Sequence, residues 1–235
     1  MTTEIVETSE GRGAWTTRGH ATGSLYYRYA PPAPIDGSND GSMPDVWVDR
    51  VRRGITGIQR LLREHGHDVR INGQFRKDTH DAVVVFQTAN EIPNDGYVGS
   101  ITMETLMRPV LISVATNQKV HPRWLHGFMA TESGYDPGAQ GEDNPPDSGL
   151  AQFNVANGTV TLDEAYNPRT AARLLAKRWS NALVKYEHDE RRLTLDCAIA
   201  QHRSPVAADA WFRTGKGTGS IIDYVATVRG FASEW

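Results

Sequence analysis

The sequence predicts a mainly α-helical protein: a three-helix bundle, followed by a second α-rich domain with a small β-hairpin. Apolar residues recur at intervals of three and four in several segments, which places them on one face of a helix. Turns that contain glycine or proline separate these segments. With 39% hydrophobic residues among 235, the chain is long enough to form two cores.

Three regions divide the chain. Residues 1–44 are rich in Gly, Ser, Thr and Pro and have no sustained hydrophobic period, which predicts an extended N-terminal arm. Residues 45–109 contain the predicted bundle, and Pro109 marks its end because proline disfavours the interior of a helix. Residues 110–235 form the second predicted domain.

Charge, cysteine content and the first residues exclude several classes of protein. The net charge of -3 and the lack of a Lys/Arg run argue against nucleic-acid binding. No stretch approaches the roughly 20 apolar residues that cross a bilayer, so no membrane partner is expected. Residues 1–7 carry acids where a secretory signal has basic residues, so we expect synthesis in the cytoplasm without a signal peptide. Cys197 is the single cysteine, which excludes an intramolecular disulfide.

Two helices and two tight turns are evident in the predicted bundle. The apolar residues of each helix share one face, namely Ile55, Ile58, Leu61 and Leu62 in the first and Ala82, Val83, Phe86 and Ala89 in the second. Gly73 and Gly96 mark the turns. Thr79 follows Gly73 by six residues and Thr102 follows Gly96 by six, so the bundle contains a short internal repeat.

Residues 52–107 resemble the helical peptidoglycan-binding domain found attached to many wall hydrolases. The resemblance rests on Gly57-Ile58-Gln59-Arg60-Leu61-Leu62, Ile71-Asn72-Gly73-Gln74-Phe75, Thr79-His80-Asp81-Ala82-Val83 with Phe86-Gln87, and Asp95-Gly96-Tyr97-Val98-Gly99 with Thr102 and Leu106. Asn72 stands where the family usually has Asp, and Arg76 where it has Gly. The resemblance implies bacterial peptidoglycan as the partner. Three side chains expected to be exposed are candidates for wall binding: Gln59, Gln87 and Tyr97.

The second domain contains a helix that ends in a carboxylic acid. Pro122 suits its first turn and Gly134 its end. Leu125, Phe128 and Met129 form an apolar stripe, and Glu132 extends it at helical spacing. Loss of hydration there disfavours the charged form of a carboxyl, which is what a general acid requires.

Two segments around this acid resemble the goose-type lysozyme and soluble lytic transglycosylase superfamily. They are Glu132-Ser133-Gly134-Tyr135-Asp136-Pro137-Gly138-Ala139 and Ser148-Gly149-Leu150-Ala151-Gln152-Phe153-Asn154, with Ala151 where Met is common. The resemblance implies a lysozyme-like fold in which Glu132 is the acid/base and Ser133 supports the helix end. It also implies a substrate site that includes Ser133, Tyr135, Gly149, Gln152 and Asn154.

The third signature of that superfamily, an Ala-Tyr-Asn-Ala-Gly-like stretch, aligns with the segment that begins at Ala198. Gln201 and His202 stand in the places of Tyr and Asn. By resemblance both contact the substrate, and His202 has a ring N–H for an acetamido or carboxyl group. Their substitution leaves open a changed substrate, a changed chemistry or lost activity.

A hairpin and further helices complete the predicted second domain. Asn157-Gly158 is predicted to connect a strand with Phe153 and Val155 to one with Val160 and Leu162. A long helix begins at Pro168, and two later helices are centred near Ala198 and Val225. No metal or cofactor is expected, because His65, His67 and His80 lack a recognised ligand spacing and Gly215–Ser220 lacks that of a phosphate-binding loop.

Two cleavage mechanisms and one noncatalytic role remain open on this scaffold. A lytic transglycosylase uses a single Glu and the C6 hydroxyl of the sugar, whereas a hydrolase needs a second carboxylate to hold water, for which Asp143 and Asp147 are candidates. We favour the transglycosylase mechanism. The third alternative is a wall-binding virion protein without activity. The domain combination looks like a bacteriophage lysin that acts at the cell wall, with residues 1–44 a candidate attachment to virion proteins.

Overall fold

A computed structural model describes residues 3–8, 11–16, 27–28, 45–141, 147–187 and 194–235. Strands β1 (Thr3–Thr8) and β2 (Gly11–Thr16) pair antiparallel, with Thr8 opposite Gly11. Strand β3 (Tyr27–Arg28) pairs with β4 (Tyr97–Val98). The region predicted to be an extended arm therefore contains paired strands, which its composition did not indicate.

Helices account for most of the described chain, so the predicted mainly α fold class is confirmed. They are α1 (Asp45–Glu64), α2 (Lys77–Ala89), α3 (Ser100–Gln118), α4 (Pro122–Ser133), α5 (Leu162–Ala165), α6 (Pro168–Lys185), α7 (Thr194–Arg203), α8 (Pro205–Thr214) and α9 (Gly219–Ala232). Helix α8, which the sequence analysis missed, begins where Ser204 caps a Pro205 start. None of the described helices is long and apolar enough to cross a bilayer.

The chain forms two compact units. The first comprises Met1–Arg108 and Ser133–Pro168, and the second comprises Pro109–Glu132 and Arg169–Trp235. Helix α3 continues through Pro109 to Gln118, so the proline at the predicted boundary lies inside a helix. The helix loses one backbone hydrogen bond there, and burial of apolar side chains beyond the proline, such as Leu111, offsets that loss. The predicted three-region division stays a prediction.

The first unit contains the predicted three-helix bundle. Its core consists of side chains that are 0–1% exposed, among them Ile58, Leu61, Leu62, Val83, Phe86, Met103 and Leu106. The predicted apolar face of the first helix is buried, and so are Val83 and Phe86 of the second. Ala82 is only half-buried and Ala89 is exposed, so the predicted face of the second helix is confirmed in part. Burial of each such side chain stabilises the fold by about 1.5–3 kcal/mol relative to exposure.

A short antiparallel pair in the first unit corrects the predicted hairpin. Strand β5 (Asp147–Ser148) pairs with β6 (Phe153–Asn154) across the turn at 149–152. The segment after Asn157-Gly158 does not return as a strand, because Thr161 and Glu164 form a capping box that starts α5. The hairpin therefore has its turn at residues 149–152, before the predicted turn at Asn157-Gly158.

Helices α4, α6, α7 and α9 contribute buried side chains to the core of the second unit. Trp179 packs against Phe128, with 5.4 Å between ring centroids. A Cβ on Gly127 of α4 would lie 2.5 Å from the carbonyl oxygen of Val228 on α9. Only a residue without a side chain permits this separation of the two helices, so Gly127 sets how closely α9 approaches α4.

We expect Gly127→Ala and Gly230→Ala to change stability in opposite directions. A glycine-to-alanine substitution inside a helix ordinarily stabilises by about 1 kcal/mol, and a Cβ on Gly230 has no neighbour within 4 Å. At Gly127 the Cβ collides with backbone, and overpacking typically costs about 1–3 kcal/mol. Urea unfolding of both variants measures the difference. Equal stabilisation by the two substitutions would show that α4 and α9 are not so closely packed.

Candidate active site

The second unit brings three polar side chains together at the end of α4. Glu132 has a side chain only 9% exposed, and its Oε1 accepts a hydrogen bond from Tyr224 Oη at 2.5 Å. His202 Nε2 lies 3.6 Å from the same oxygen. The three residues come from α4, α7 and α9, so the packing of these helices assembles the cluster.

Tyr224 is a functional candidate that the sequence analysis did not single out. Burial raises its pKa well above the ordinary value of 10.0, and the charge of Glu132 and the hydrogen bond to it raise it further. The phenol therefore stays protonated and donates to Glu132. Its hydroxyl within a stripe of Ile221, Val225 and Val228 was the available signal.

His202 is a predicted site residue that the structure places beside Glu132. Its side chain is 7% exposed, and its ring lies 5.1 Å from the Phe128 ring, centroid to centroid. The 3.6 Å separation from Glu132 Oε1 is longer than a hydrogen bond, and it is an ion pair only when the ring is protonated. His202 thus stands as a neighbour of the acid, in the place where the resembling family carries Asn.

Gln201 takes part in a different network of the second unit. Its Oε1 accepts hydrogen bonds from Tyr186 Oη at 2.6 Å and from Lys185 Nζ at 2.9 Å. Tyr186 Oη also contacts Asp209 Oδ1 at 2.6 Å. The amide oxygen of Gln201 is thus engaged within the protein, and only its amide nitrogen remains a candidate for a substrate contact.

Ser133 and Tyr135 are interior residues of the first unit. Ser133 Oγ donates to the Leu150 carbonyl at 2.9 Å, which ties the end of α4 to the second motif segment. Tyr135 is 3% exposed, and burial raises its pKa well above the ordinary value, with a further contribution from the charge of Glu104. The expectation that Tyr135 lies at a substrate surface is therefore corrected, since its ring is packed inside the protein.

Gly149 has a structural role that differs from the expected one. It adopts a φ of 75°, and a Cβ there would lie 2.0 Å from the Ala165 carbonyl oxygen. The space beside Gly149 is filled by the protein's own backbone. The glycine is needed for the turn to pack on α5, and a contact of Gly149 with substrate stays a prediction.

Gln152 and Asn154 carry side chains that remain partly or fully accessible. Gln152 has a φ of 44°, which is uncommon for a residue with a side chain, and its Nε2 donates to the Gly149 carbonyl at 2.8 Å. Asn154 is exposed, and its Oδ1 accepts the Ala156 N–H at 3.1 Å. Saccharide binding by these two amides stays a prediction, as does their arrangement around the acid.

Of the two candidate water-positioning acids, Asp147 is described and Asp143 lies outside the described residues. Asp147 begins β5, and its Oδ1 is buried without a hydrogen-bond partner among the residues that the structure describes. A buried carboxylate oxygen without a protein donor is a suitable acceptor for a water molecule.

The first two wall-binding candidates are not exposed as expected. Gln59 is 0% exposed, and its Oε1 accepts the N–H groups of Asn72 and Gly73, both at 2.9 Å. Its Nε2 donates to Gln74 O at 3.0 Å and to Thr79 Oγ1 at 3.2 Å. Gln59 therefore holds the first glycine turn of the bundle from inside.

Gln87 does the same for the second turn. It is 1% exposed, its Oε1 accepts the Gly96 N–H at 2.9 Å, and its Nε2 donates to Thr102 Oγ1 at 3.1 Å and to the Tyr97 carbonyl at 2.8 Å. The internal repeat seen in the sequence is thus a repeated Gln-turn-Thr contact. Among the three candidates only Tyr97, which is half-buried, keeps side-chain surface for a ligand.

Comparison with known proteins gives a match within the bundle. No curated protein matches the chain. Residues 52–106 match the family model described as "Putative peptidoglycan binding domain", and this segment runs from α1 into α3. The match supports a peptidoglycan-associated protein, with peptidoglycan as its partner and the cell wall as its place of action.

Proposed function

We propose that this peptidoglycan-associated protein cleaves glycan strands between N-acetylmuramic acid and N-acetylglucosamine, with Glu132 as its single acid/base. The observation that supports this proposal is the placement of two polar groups beside one carboxyl oxygen: Tyr224 Oη lies 2.5 Å and His202 Nε2 3.6 Å from Glu132 Oε1. A carboxyl held in this way inside an apolar helix bundle is suited to proton transfer.

The two oxygens of Glu132 have different tasks in this proposal. Oε1 receives both contacts, and Oε2 has none within the described part of the chain. Oε2 is then the atom that carries the proton to the glycosidic oxygen. As the bond to that oxygen breaks, the carboxyl becomes a carboxylate, and Tyr224 stabilises the new charge through its hydrogen bond.

The second step returns the proton to Glu132. In the lytic transglycosylase reaction, the C6 hydroxyl of the muramic acid attacks its own anomeric carbon, and Glu132 accepts the hydroxyl proton as a general base. The products are a free N-acetylglucosamine end and a 1,6-anhydro-muramic acid end. One carboxyl serves both steps, so this mechanism requires no second acid.

Asp147 supports a hydrolytic alternative. Its buried Oδ1 has no hydrogen-bond partner among the described residues, and a carboxylate in that condition can hold the water that attacks in a muramidase. Water would then replace the C6 hydroxyl as the nucleophile. The glycan product would carry a reducing muramic acid end.

Mass spectrometry of the released muropeptides tests the two reactions. We expect products with 1,6-anhydro-muramic acid ends, each lighter than the hydrolytic product by one water. Products with reducing ends would reject the transglycosylase mechanism in favour of the muramidase. Digestion with an established muramidase, run in parallel, provides the reference spectrum for the reducing end.

The biological setting proposed for this activity is that of a bacteriophage lysin. The wall-binding match supports action at the cell wall. Phage origin and attachment to virion proteins through residues 1–44 stay predictions.

A further inference from the structure

One face of α1 contacts the segment that follows the proposed acid. Arg50, Arg53 and Gly57 recur at helical spacing on α1, and each lies against part of residues 133–168 in the same compact unit. We propose that this face positions the loop after Glu132, with Arg50 as the main positioning residue. The proposal rests on the proposed function, because its effect is expected in glycan cleavage.

Arg50 makes the innermost of these contacts. It is 6% exposed, its Nε donates to the Gly138 carbonyl, and its Nη2 lies 3.6 Å from Asp136 Oδ2, whose side chain is 2% exposed. Asp136 Oδ1 accepts the Gly138 N–H at 2.8 Å. One guanidinium thus contacts both the carboxylate and a carbonyl of a single turn.

This turn is connected directly to the end of the catalytic helix. The Asp136 N–H donates to the Ser133 carbonyl at 3.1 Å, and the Ala139 N–H donates to the Asp136 carbonyl at 3.1 Å. The Gly149 N–H then donates to the Ala139 carbonyl at 2.8 Å. A displacement of Asp136 is therefore transmitted to Ser133, the residue next to Glu132, and to the second motif segment.

Two further contacts extend along the same face. Arg53 Nη1 lies 2.5 Å from Asp163 Oδ1, and its guanidinium lies 5.7 Å from the centroid of the Tyr166 ring. A Cβ on Gly57 would lie 3.2 Å from Pro168 Cγ, so the glycine allows Pro168 to pack closely on α1. The Asp163 side chain is 90% exposed, so water screens that ion pair.

The buried pair explains why Arg50 acts on position as well as on stability. Removal of one partner from a buried ion pair leaves the other charge without compensation, which is strongly destabilising. We therefore expect the turn at Asp136, four residues after Glu132, to shift when Arg50 is removed. Most of helix α1 lies within the segment matched as a peptidoglycan-binding domain. In this proposal the same helix also positions the loop after Glu132.

The test compares Arg50→Met, Arg50→Lys and the control Arg63→Met in the full chain. Arg63 is exposed on the same helix. We expect Arg50→Met to lower kcat on soluble glycan strands by about 10- to 100-fold, as displacement of catalytic groups does. KM and co-sedimentation with purified walls should stay within about twofold, and Arg50→Lys should recover part of kcat.

Other outcomes overturn the proposal. A kcat for Arg50→Met equal to that of folded Arg63→Met would do so, as would a loss confined to wall co-sedimentation. Arg50→Met alone leaves Asp136 as an uncompensated buried charge. If that variant does not fold, a double variant, Arg50→Met with Asp136→Leu, removes both buried charges. The kcat of this double variant and that of Arg50→Lys are then measured. Loss of kcat in these two variants supports the proposal, and wild-type kcat in both overturns it.

A wild-type protein that releases no glycan product would reject the proposed function instead. The contact is then read from thermal unfolding of Arg50→Met, Asp136→Leu and the double variant. Changes in Tm that do not add support the pairing of Arg50 with Asp136, and additive changes overturn it.

Discussion

Substitution of Glu132 by Gln is expected to lower the rate of glycan cleavage by about 1,000-fold or more. The amide has nearly the same shape as the carboxyl but does not supply an acidic proton to the glycosidic oxygen. Tyr224 can still donate to the amide oxygen, so the contact between α4 and α9 is retained. Clearing of cell-wall substrate in a gel and release of soluble muropeptides measure the loss.

Glu234→Gln is the matched control for this variant. Glu234 is exposed and lies outside the Glu132 cluster, so cleavage by Glu234→Gln should equal that of the wild type. Wall co-sedimentation should be unchanged in both variants, because the matched binding domain lies at residues 52–106. Full activity of Glu132→Gln would reject Glu132 as the acid. Absence of activity in the wild type as well would favour a noncatalytic wall-binding protein.

Substitution of Tyr224 by Phe is expected to lower kcat by about 10- to 150-fold. A hydrogen bond to a charged group contributes about 1.5–3 kcal/mol, and each 1.36 kcal/mol corresponds to a factor of ten in rate. The loss should appear mainly in kcat, because the proposed contact is strongest when Glu132 becomes a carboxylate. A kcat within twofold of the wild type would show that Tyr224 has no part in catalysis.

The same variant should alter stability at alkaline pH. The pKa of Tyr224 is raised in the folded state, so the unfolded chain releases its phenolic proton first as the pH passes about 10. The stabilisation from this group is fully present below that pH and is lost as the pH rises towards the folded pKa. Tyr135 behaves in the same direction. As the pH rises above about 10 towards the pKa of Tyr224 in the folded protein, the free energy of unfolding of Tyr224→Phe should therefore fall less than that of the wild type.

Local patterns predicted the part of the site that lies on one helix. The apolar spacing up to Glu132 is visible within two turns of α4, and the structure gives that helix the predicted first residue, Pro122. Tyr224 lies 92 residues further along the chain. The contact of Tyr224 with Glu132 depends on how closely α9 packs on α4, and Gly127 sets that distance. A hydrophobic pattern in the sequence does not show that a glycine allows two helices to approach each other.

Several sequence predictions were wrong because a residue's usual preference was overridden by specific contacts in this fold. Glutamine is usually exposed, but Gln59 and Gln87 are buried because each satisfies several polar groups of a turn. Asn157-Gly158 favours a hairpin, but the capping box at Thr161 starts a helix instead. Pro109 disfavours a helix, but the helix continues with buried residues on both sides of it.

The two buried glutamines also bear on how the bundle moves. Backbone N–H groups in turns usually face water and exchange their hydrogens rapidly, yet those of Gly73 and Gly96 donate to buried amide oxygens. Such hydrogens become accessible only when the glutamine leaves the core, which requires the helices themselves to separate. The turns of the wall-binding bundle should therefore open and close together with its helices, as one cooperative element instead of as independently mobile loops.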